Sequence, residues 1–460
     1  MAEVSRREPT PNQSLSTTIT AAGASHHALA HRVNQLAADF GLDCHYTHTS
    51  VANWQRRGMT PRWPVPRLIA QALGERLGRA VSLADIGMAH AETAGASMGL
   101  DFPRDLGSAV RAATDLWSHV DRRHFLNDTT FAVAAFATPV RRWLITSADP
   151  AASHRGGRMV GATDIAALRE AAEQARHWDS KYGGGDWRTS SLTACLHHQA
   201  APLLRGTYSD EFGRQLFAAT AELSRLAGFT AFDTGQHDLA QRYYIQALRL
   251  ARAAGDLPLG GYVLATMSMQ ALLRGHTEEA IDMAQAASER TRTAATPRAV
   301  AFFKLIEARA HARAGDRRAA EASLAAADRL LDKAAPTGGN DPPWIDFFTP
   351  ARLAADATEI YRDLRRPDLT HRWNTQALMP TDTFTRAVGM RMAIVGAASL
   401  QARDLDQGLA LGHQAIDILE HVSSARAKDY LRDLLHELTP WQHEQTAREF
   451  THRANQLLTA

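Results

Sequence analysis

Eight residues within a short span, Thr47, His48, Thr49, Ser50, Asn53, Arg56, Arg57 and Arg62, carry the side chains best suited to reading a DNA duplex. Asparagine can pair with an adenine edge and arginine with guanine or phosphate, while hydroxyls and imidazoles serve either base edges or backbone. No Asp or Glu occurs between Asp43 and Glu75, whereas His45 and Arg67 add further positive or polar character there. A local excess of cations without carboxylates is the electrostatic footprint that a polyanion selects. Within the set, Thr47, His48, Thr49, Ser50 and Asn53 are expected at base edges, and Arg56, Arg57 and Arg62 at phosphates.

Such residues need a helix to hold them. Val51 and Trp54 stand at i, i+3 and are expected to face inward, so a helix over Thr49–Arg57 would leave the polar set outside. Gly58 would end it, as a glycine after a helix commonly does. Short helices are also expected over Leu15–Ala22, Ser25–Phe40 with Ser25 as N-cap, and Val65–Leu77, with Ala28, Ala30 and Val33 of the second turned inward. Two helices ending in an exposed polar one suit a helix-turn-helix, whose second helix enters the major groove. The interval "AADFGLDCHY" before it is longer than a compact turn requires.

Other chemistries find less. His26, His27, His31, His45 and His48 cluster near Cys44, and His27 and His31 share one helical face, but no second ligand pair has zinc-like spacing. Surface histidines are the simpler reading, and no metal is expected. Gly183-Gly184-Gly185 lacks the Lys-Ser/Thr of a phosphate loop, and no nucleophile or zinc-hydrolase pattern occurs. No catalytic residue, enzyme activity or cofactor is expected.

With 460 residues, the chain is long enough for more than one core, and its low aromatic content (7%) with abundant alanine favours closely packed helices over sheets. A net charge of +2 says nothing of partners when averaged over the whole. The two cysteines, Cys44 and Cys195, are far apart, which suits a reducing, cytoplasmic compartment. No apolar run approaches a membrane span. "DRRHFLNDTTFAVAAFATPV" imitates a twin-arginine export signal, but it lies more than a hundred residues into the chain, and a helix burying Phe131, Val133, Phe136 and Val140 accounts for it.

From about Glu211 the chain repeats. Gly235, Gly275 and Gly315 recur every 40 residues, as do Ala240, Ala280 and Ala320, and Ala247, Ala287 and Ala327. A turn glycine followed by alanines at a close helix crossing describes a helical hairpin. Weaker copies around "YRDLRRPDLTHRWNTQAL" and "LQARDLDQGLALGHQAIDILE" make five pairs to about Glu420, the last with Arg403 and Gly408 where glycine and alanine are expected. The pattern resembles the tetratricopeptide repeat, whose own period is 34. That geometry would turn Arg225, Phe229, Tyr262, Met269, Phe302 and Arg309 toward a concave face, where they could hold a peptide or an anionic small molecule. The fold class is therefore all-α, an N-terminal helix-turn-helix domain followed by a tetratricopeptide-like α-solenoid. Its divisions are a disordered tail over 1–10, the DNA-binding domain over 11–90, linker and bridging helices over 91–160, and repeats over 161–460.

The segments "SVANWQRRGMTPR", "DRRHFL", "KYGGGDW" and "AQRYYIQALRLARAAGD" together resemble the tetratricopeptide-containing transcriptional regulators of antibiotic-producing, high-GC bacteria, in which the first segment is a helix-turn-helix of the xenobiotic-response-element class. The resemblance implies a repressor-type regulator of development or antibiotic biosynthesis. It would bind double-stranded DNA as a homodimer, since symmetric half-sites lie one helical turn apart. A ligand of the repeats would shift the spacing of the two DNA-binding domains. The alternative is a scaffold whose repeats bind a protein and whose N-terminal domain does not touch DNA.

Overall fold

The computed structural model describes residues 10–39, 44–61, 65–89, 97–120, 130–183, 185–334, 339–381 and 383–459. The expected tail over 1–10 lies outside them but for Thr10. So do the first nine residues of the export-signal look-alike, 121–129. The regular structure of the described residues is helical, with no strand and only two isolated bridges, His154 with Tyr208 and Met159 with Thr207. None of their helices is long and apolar enough to cross a membrane. The all-α reading holds.

Two compact units form, Met1–Met98 with Ser118–Thr129, and Gly99–Trp117 with Thr130–Ala460. Among the described residues of the first, four helices, α1 (Gln13–Ala21), α2 (His26–Asp39), α3 (His48–Arg56) and α4 (Val65–Leu77), surround one core. Leu15, Leu29, Val33, Val51, Ile69 and Leu73 are among its buried side chains. On α2, Leu29 and Ala30 go inside while Ala28 stays half-buried. Ser25 accepts the Ala28 N–H at 3.1 Å, satisfying an orphan donor of the first turn.

The second unit is an array of five helical hairpins of the tetratricopeptide-like kind. The pairs are α9 (Asp210–Asp233) with α10 (His237–Ala254), α11 (Leu257–Leu273) with α12 (Thr277–Thr291), α13 (Pro297–Arg313) with α14 (Arg317–Asp332), α15 (Pro350–Asp363) with α16 (Pro367–Asn374), and α17 (Thr385–Gln401) with α18 (Leu405–Leu419). Before them come α5 (Leu106–Val120), α6 (Ala137–Ile145), α7 (Ala162–Tyr182) and α8 (Asp186–Cys195); after them α19 (Ala425–Glu437) and α20 (Gln445–Thr459). A 3-10 turn over Val133–Phe136 precedes α6, so one continuous helix does not run through this stretch. Phe136, Pro139 and Trp143 are buried there, while Phe131, Val133 and Val140 are half-buried.

The segments expected as linker and bridge, Gly99–Trp117 and Thr130–Val160, count with the repeats. Buried side chains of α10 hold them. Arg249 pairs with Asp149 at 2.8 Å and donates to the Pro103 carbonyl at 2.7 Å, and Gln246 donates to the carbonyls of Gly99 and Asp101.

Each hairpin turns on a residue in the left-handed region: Gly235, Gly275, Gly315, Arg365 and Arg403. The following N–H closes back on the carbonyl five residues earlier, from Gln236 to Ala231 at 2.8 Å through Asp404 to Ser399 at 3.0 Å. Glycine adopts this conformation freely, whereas other residues incur about 1–2 kcal/mol. Arg403→Gly should therefore raise stability by roughly 0.5–1 kcal/mol, after loss of the Arg403 contact with the Trp441 ring. Gly275→Ala, where an added Cβ meets nothing within 4 Å, should lower it by about 1 kcal/mol. Denaturant titration of both variants checks the opposite signs.

Five residues past each turn stand Ala240, Ala280, Ala320, Thr370 and Gly408, and twelve past it Ala247, Ala287, Ala327, Ala377 and Ala415, all buried. Helix partners touch there: the Ser268 hydroxyl donates to the Ala280 carbonyl at 2.6 Å. Small residues at these positions let the two helices of a pair approach closely, and Thr370 is the largest of them.

Candidate functional site

In the first unit, α3 presents the polar set expected for DNA. Val51 and Trp54 are buried beneath it, with Tyr46 edge-on to the Trp54 ring at 5.0 Å. Thr47, His48, Thr49, Arg56 and Arg57 are exposed, and Ser50 and Asn53 half-buried. Two of the set also serve the helix itself: Thr47 is the N-cap, and its N–H donates to Ser50 Oγ at 3.2 Å. Arg62 lies outside the described residues. Gly58 takes a left-handed conformation after α3, and a Cβ there would stand 2.2 Å from the Thr10 carbonyl oxygen. The long interval before α3 is fastened at its end by Asn34, whose amide donates to the Tyr46 carbonyl at 2.8 Å and accepts the Tyr46 N–H at 2.9 Å. The candidate metal histidines are engaged in part with amides, His26 with Gln55 at 2.7 Å and His31 with Gln35 at 3.0 Å.

In the second unit the first helices of all five hairpins contribute to one inner face, and they line a cavity of about 350 Å³. Arg225, Phe229, Tyr262, Met269, Phe302 and Arg309 all line it. Their register explains the convergence. Tyr262 and Met269 stand thirteen and six residues before Gly275, and Phe302 and Arg309 the same distances before Gly315. Counting back likewise from Arg365 and Arg403 finds Arg352, Glu359 and Met390. Arg352 and Met390 line the cavity as well, and Glu359 binds Arg309. These three were within reach of the repeat phase had it been carried into the weaker copies.

The remaining walls come from outside the phase. Arg176 and Asp179 project from α7, Asp346 and Phe347 from the loop before α15, and Arg426 from α19. They arrive because the array bends until its beginning and end meet. Asp233, fully buried at the end of α9, accepts from Arg386 of α17 at 2.8 Å, and from Arg426 and Ser424 at 3.0 Å. Arg386 reaches on to both oxygens of Asp179. Burial would lower the Arg386 guanidinium, but Asp179 and Asp233 together push it up. Phe229 fills the space between the cations, with Arg426, Arg386 and Arg225 at 5.2, 5.6 and 5.9 Å from its ring centre.

A second cluster lies deeper. Arg309 donates to Glu359 at 2.6 Å and to the Tyr430 hydroxyl at 3.2 Å, while Tyr430 donates to Glu359 at 2.8 Å. Burial alone would raise the Glu359 carboxyl, yet Arg309, Arg313 and Arg362 hold it down to about 2.

Most arginines of the cavity are thus neutralised: Arg176 by Glu222, Arg309 by Glu359, Arg352 by Asp356, and Arg386 and Arg426 by Asp233. Arg225 differs. It is 3% exposed, its Nε has no hydrogen-bond partner, and among the described residues no carboxylate pairs with it. Its guanidinium lies 4.6 Å from the centre of the Tyr262 ring, which in turn stacks on Trp344 at 4.6 Å. Burial, and the neighbouring charge of Arg225, push the Arg176 guanidinium down. A larger hollow of about 600 Å³ between α6 and α12 has no comparable polar group, being walled by residues such as Phe136, Leu144 and Met283 with carboxylates at its rim.

Comparison with known proteins matches residues 15–89, the span of the four-helix unit, to the model of the SP15 N-terminal domain. No curated protein matches the chain. Among solved structures, the APC/C hetero-tetramer Cut9-Hcn1 aligns over 92% of this chain and 74% of that one, at 15% identity and a TM-score of 0.34. A similarity that low carries no functional inference, so the assignment of helical repeats rests on the hairpins themselves.

Proposed function

We propose that the chain is a sequence-specific, DNA-binding transcriptional regulator, with α3 as its recognition helix and the repeat unit as the receiver of a small-molecule signal. The observation that carries the reading is the outer surface of α3. Hydroxyl, imidazole and guanidinium groups are exposed over a tightly anchored Val51 and Trp54, in a stretch without a carboxylate. Such a surface offers both base-edge partners and phosphate neutralisation. Homodimerisation supplies the paired half-sites, and the segments that resemble regulators from antibiotic-producing bacteria suggest developmental or antibiotic-biosynthesis genes as targets. The cavity's volume of about 350 Å³ is that of a small-effector site.

Selection of duplexes from a random library by the full chain provides the operator for the test. Affinity should fall steeply as salt rises, because phosphate contacts release counterions. Asn53→Ala with Arg57→Ala should weaken operator binding by about 100-fold or more, at roughly 1–3 kcal/mol for each contact. Unchanged specific binding by the double variant would show that α3 is not the recognition helix. Failure to select any duplex at low salt would leave the scaffold alternative.

A further inference from the structure

We propose that the cavity takes an organic monoanion, a flat aromatic or apolar body bearing one carboxylate, with Arg225 as its anchoring cation. The inference rests on the reading of this cavity as an effector site and is independent of DNA binding.

A guanidinium this deeply buried is ordinarily paired, since an isolated charge taken from water costs several kcal/mol. Here the other cavity arginines have carboxylate partners, and Arg225 has only aromatic faces. Cation–π contact with Tyr262 orients the group and recovers part of that cost, but it leaves the N–H donors without acceptors. A carboxylate is planar and accepts two parallel N–H bonds from one guanidinium, which no water molecule can imitate in charge. Among the described residues Arg225 is the one lining arginine without a carboxylate partner, and Glu173 and Asp346, which line the cavity without an ion pair, oppose a dianion such as a phosphate monoester more strongly than a single carboxylate seated on Arg225.

The body of the ligand follows from the remaining surfaces. Tyr262, Phe302, Phe347, Met269, Met390 and Ile306 give three rings, two thioethers and one aliphatic chain suited to packing against a flat apolar group. The volume of about 350 Å³ fits a small organic molecule.

Isothermal calorimetry on the full chain without DNA, using 2-naphthoate and its neutral counterpart 2-naphthamide, tests this directly. Naphthoate should bind at one site per chain and about 10–100-fold more tightly than the amide, the difference expected for a charge-assisted pair. Arg225→Met should erase the difference while leaving amide binding intact, and Arg225→Lys should keep part of it. Since Arg225→Met removes an unmatched charge, its thermal midpoint should match or exceed that of the parent protein. Equal affinity for the two probes, no binding of either at millimolar concentration, or a preference that survives Arg225→Met would overturn the proposal. The probe ratio on the unaltered protein stands even if the methionine variant does not fold. Loss of anion preference with operator binding intact would count against this site alone, and the converse against the DNA reading alone.

Discussion

Asp233→Ala should cost about 3–5 kcal/mol of stability, among the largest effects of any single substitution in the repeat unit. The carboxylate is fully buried and receives Arg386, Arg426 and the Ser424 hydroxyl. Removing it leaves two guanidinium groups inside with less than full neutralisation; Arg386 retains Asp179, but Arg426 keeps only its ring contacts with Phe229 and Phe232. Asp233→Asn should also destabilise, because the amide has the acceptor but not the charge. Guanidinium chloride titration followed by circular dichroism measures both. A loss below about 1 kcal/mol for the alanine variant would mean that the pairs are worth no more than surface ones.

Glu359→Ala should have an effect of the same size, about 3–5 kcal/mol, because Arg309, with its ion pair to Glu359, would then be buried on the far weaker support of Asp356 at 3.9 Å. The same carboxylate sets an acid limit. Its folded value, about 2, lies below the ordinary 4.5, so the charged form favours the folded state. The stabilisation is complete above the unfolded value and is lost as pH falls from about 4.5 toward 2. Urea midpoints measured from pH 7 to pH 3 should drop in the parent protein and drop less in Glu359→Ala. Parallel curves would assign the acid sensitivity to other carboxylates.

The helices of the first unit, including α3 to within a residue, were legible because each combines an apolar period with a start or stop residue. The five hairpins were legible for a related reason: turn geometry and close crossing restrict residue choice so strongly that glycine and alanine recur at fixed offsets. Where Arg365 and Arg403 replace the turn glycine, the bend persists although its sequence mark is gone. Five of the six inward residues lie around one cavity because they share a phase, and Arg225, ten residues before Gly235, joins them one helical turn before Phe229. Asp179, Asp346, Arg386 and Arg426 could not be found this way. Their approach depends on small rotations between successive hairpins, summed over the array, and no local spacing records that sum. Nor did any local pattern show that Arg225 alone would lack a carboxylate, since ion pairing is decided by residues as distant as Asp233 and Arg426. The attachment of Gly99–Trp117 to the repeats was likewise hidden, because its glycines and small polar residues look like a tether, and the side chains that bind it belong to α10.

The meeting of the first and last hairpins also alters how the repeat unit should fold. In an open array each repeat touches only its neighbours, so order can begin anywhere and the ends can fray independently. Here Arg386 bonds to a residue 207 positions away, and Arg426 to one 193 positions away. Contacts of that span close very long loops and give nothing until almost the whole array has formed. The unit should therefore assemble slowly and melt as one body, with its terminal hairpins exchanging amide hydrogens no faster than its middle.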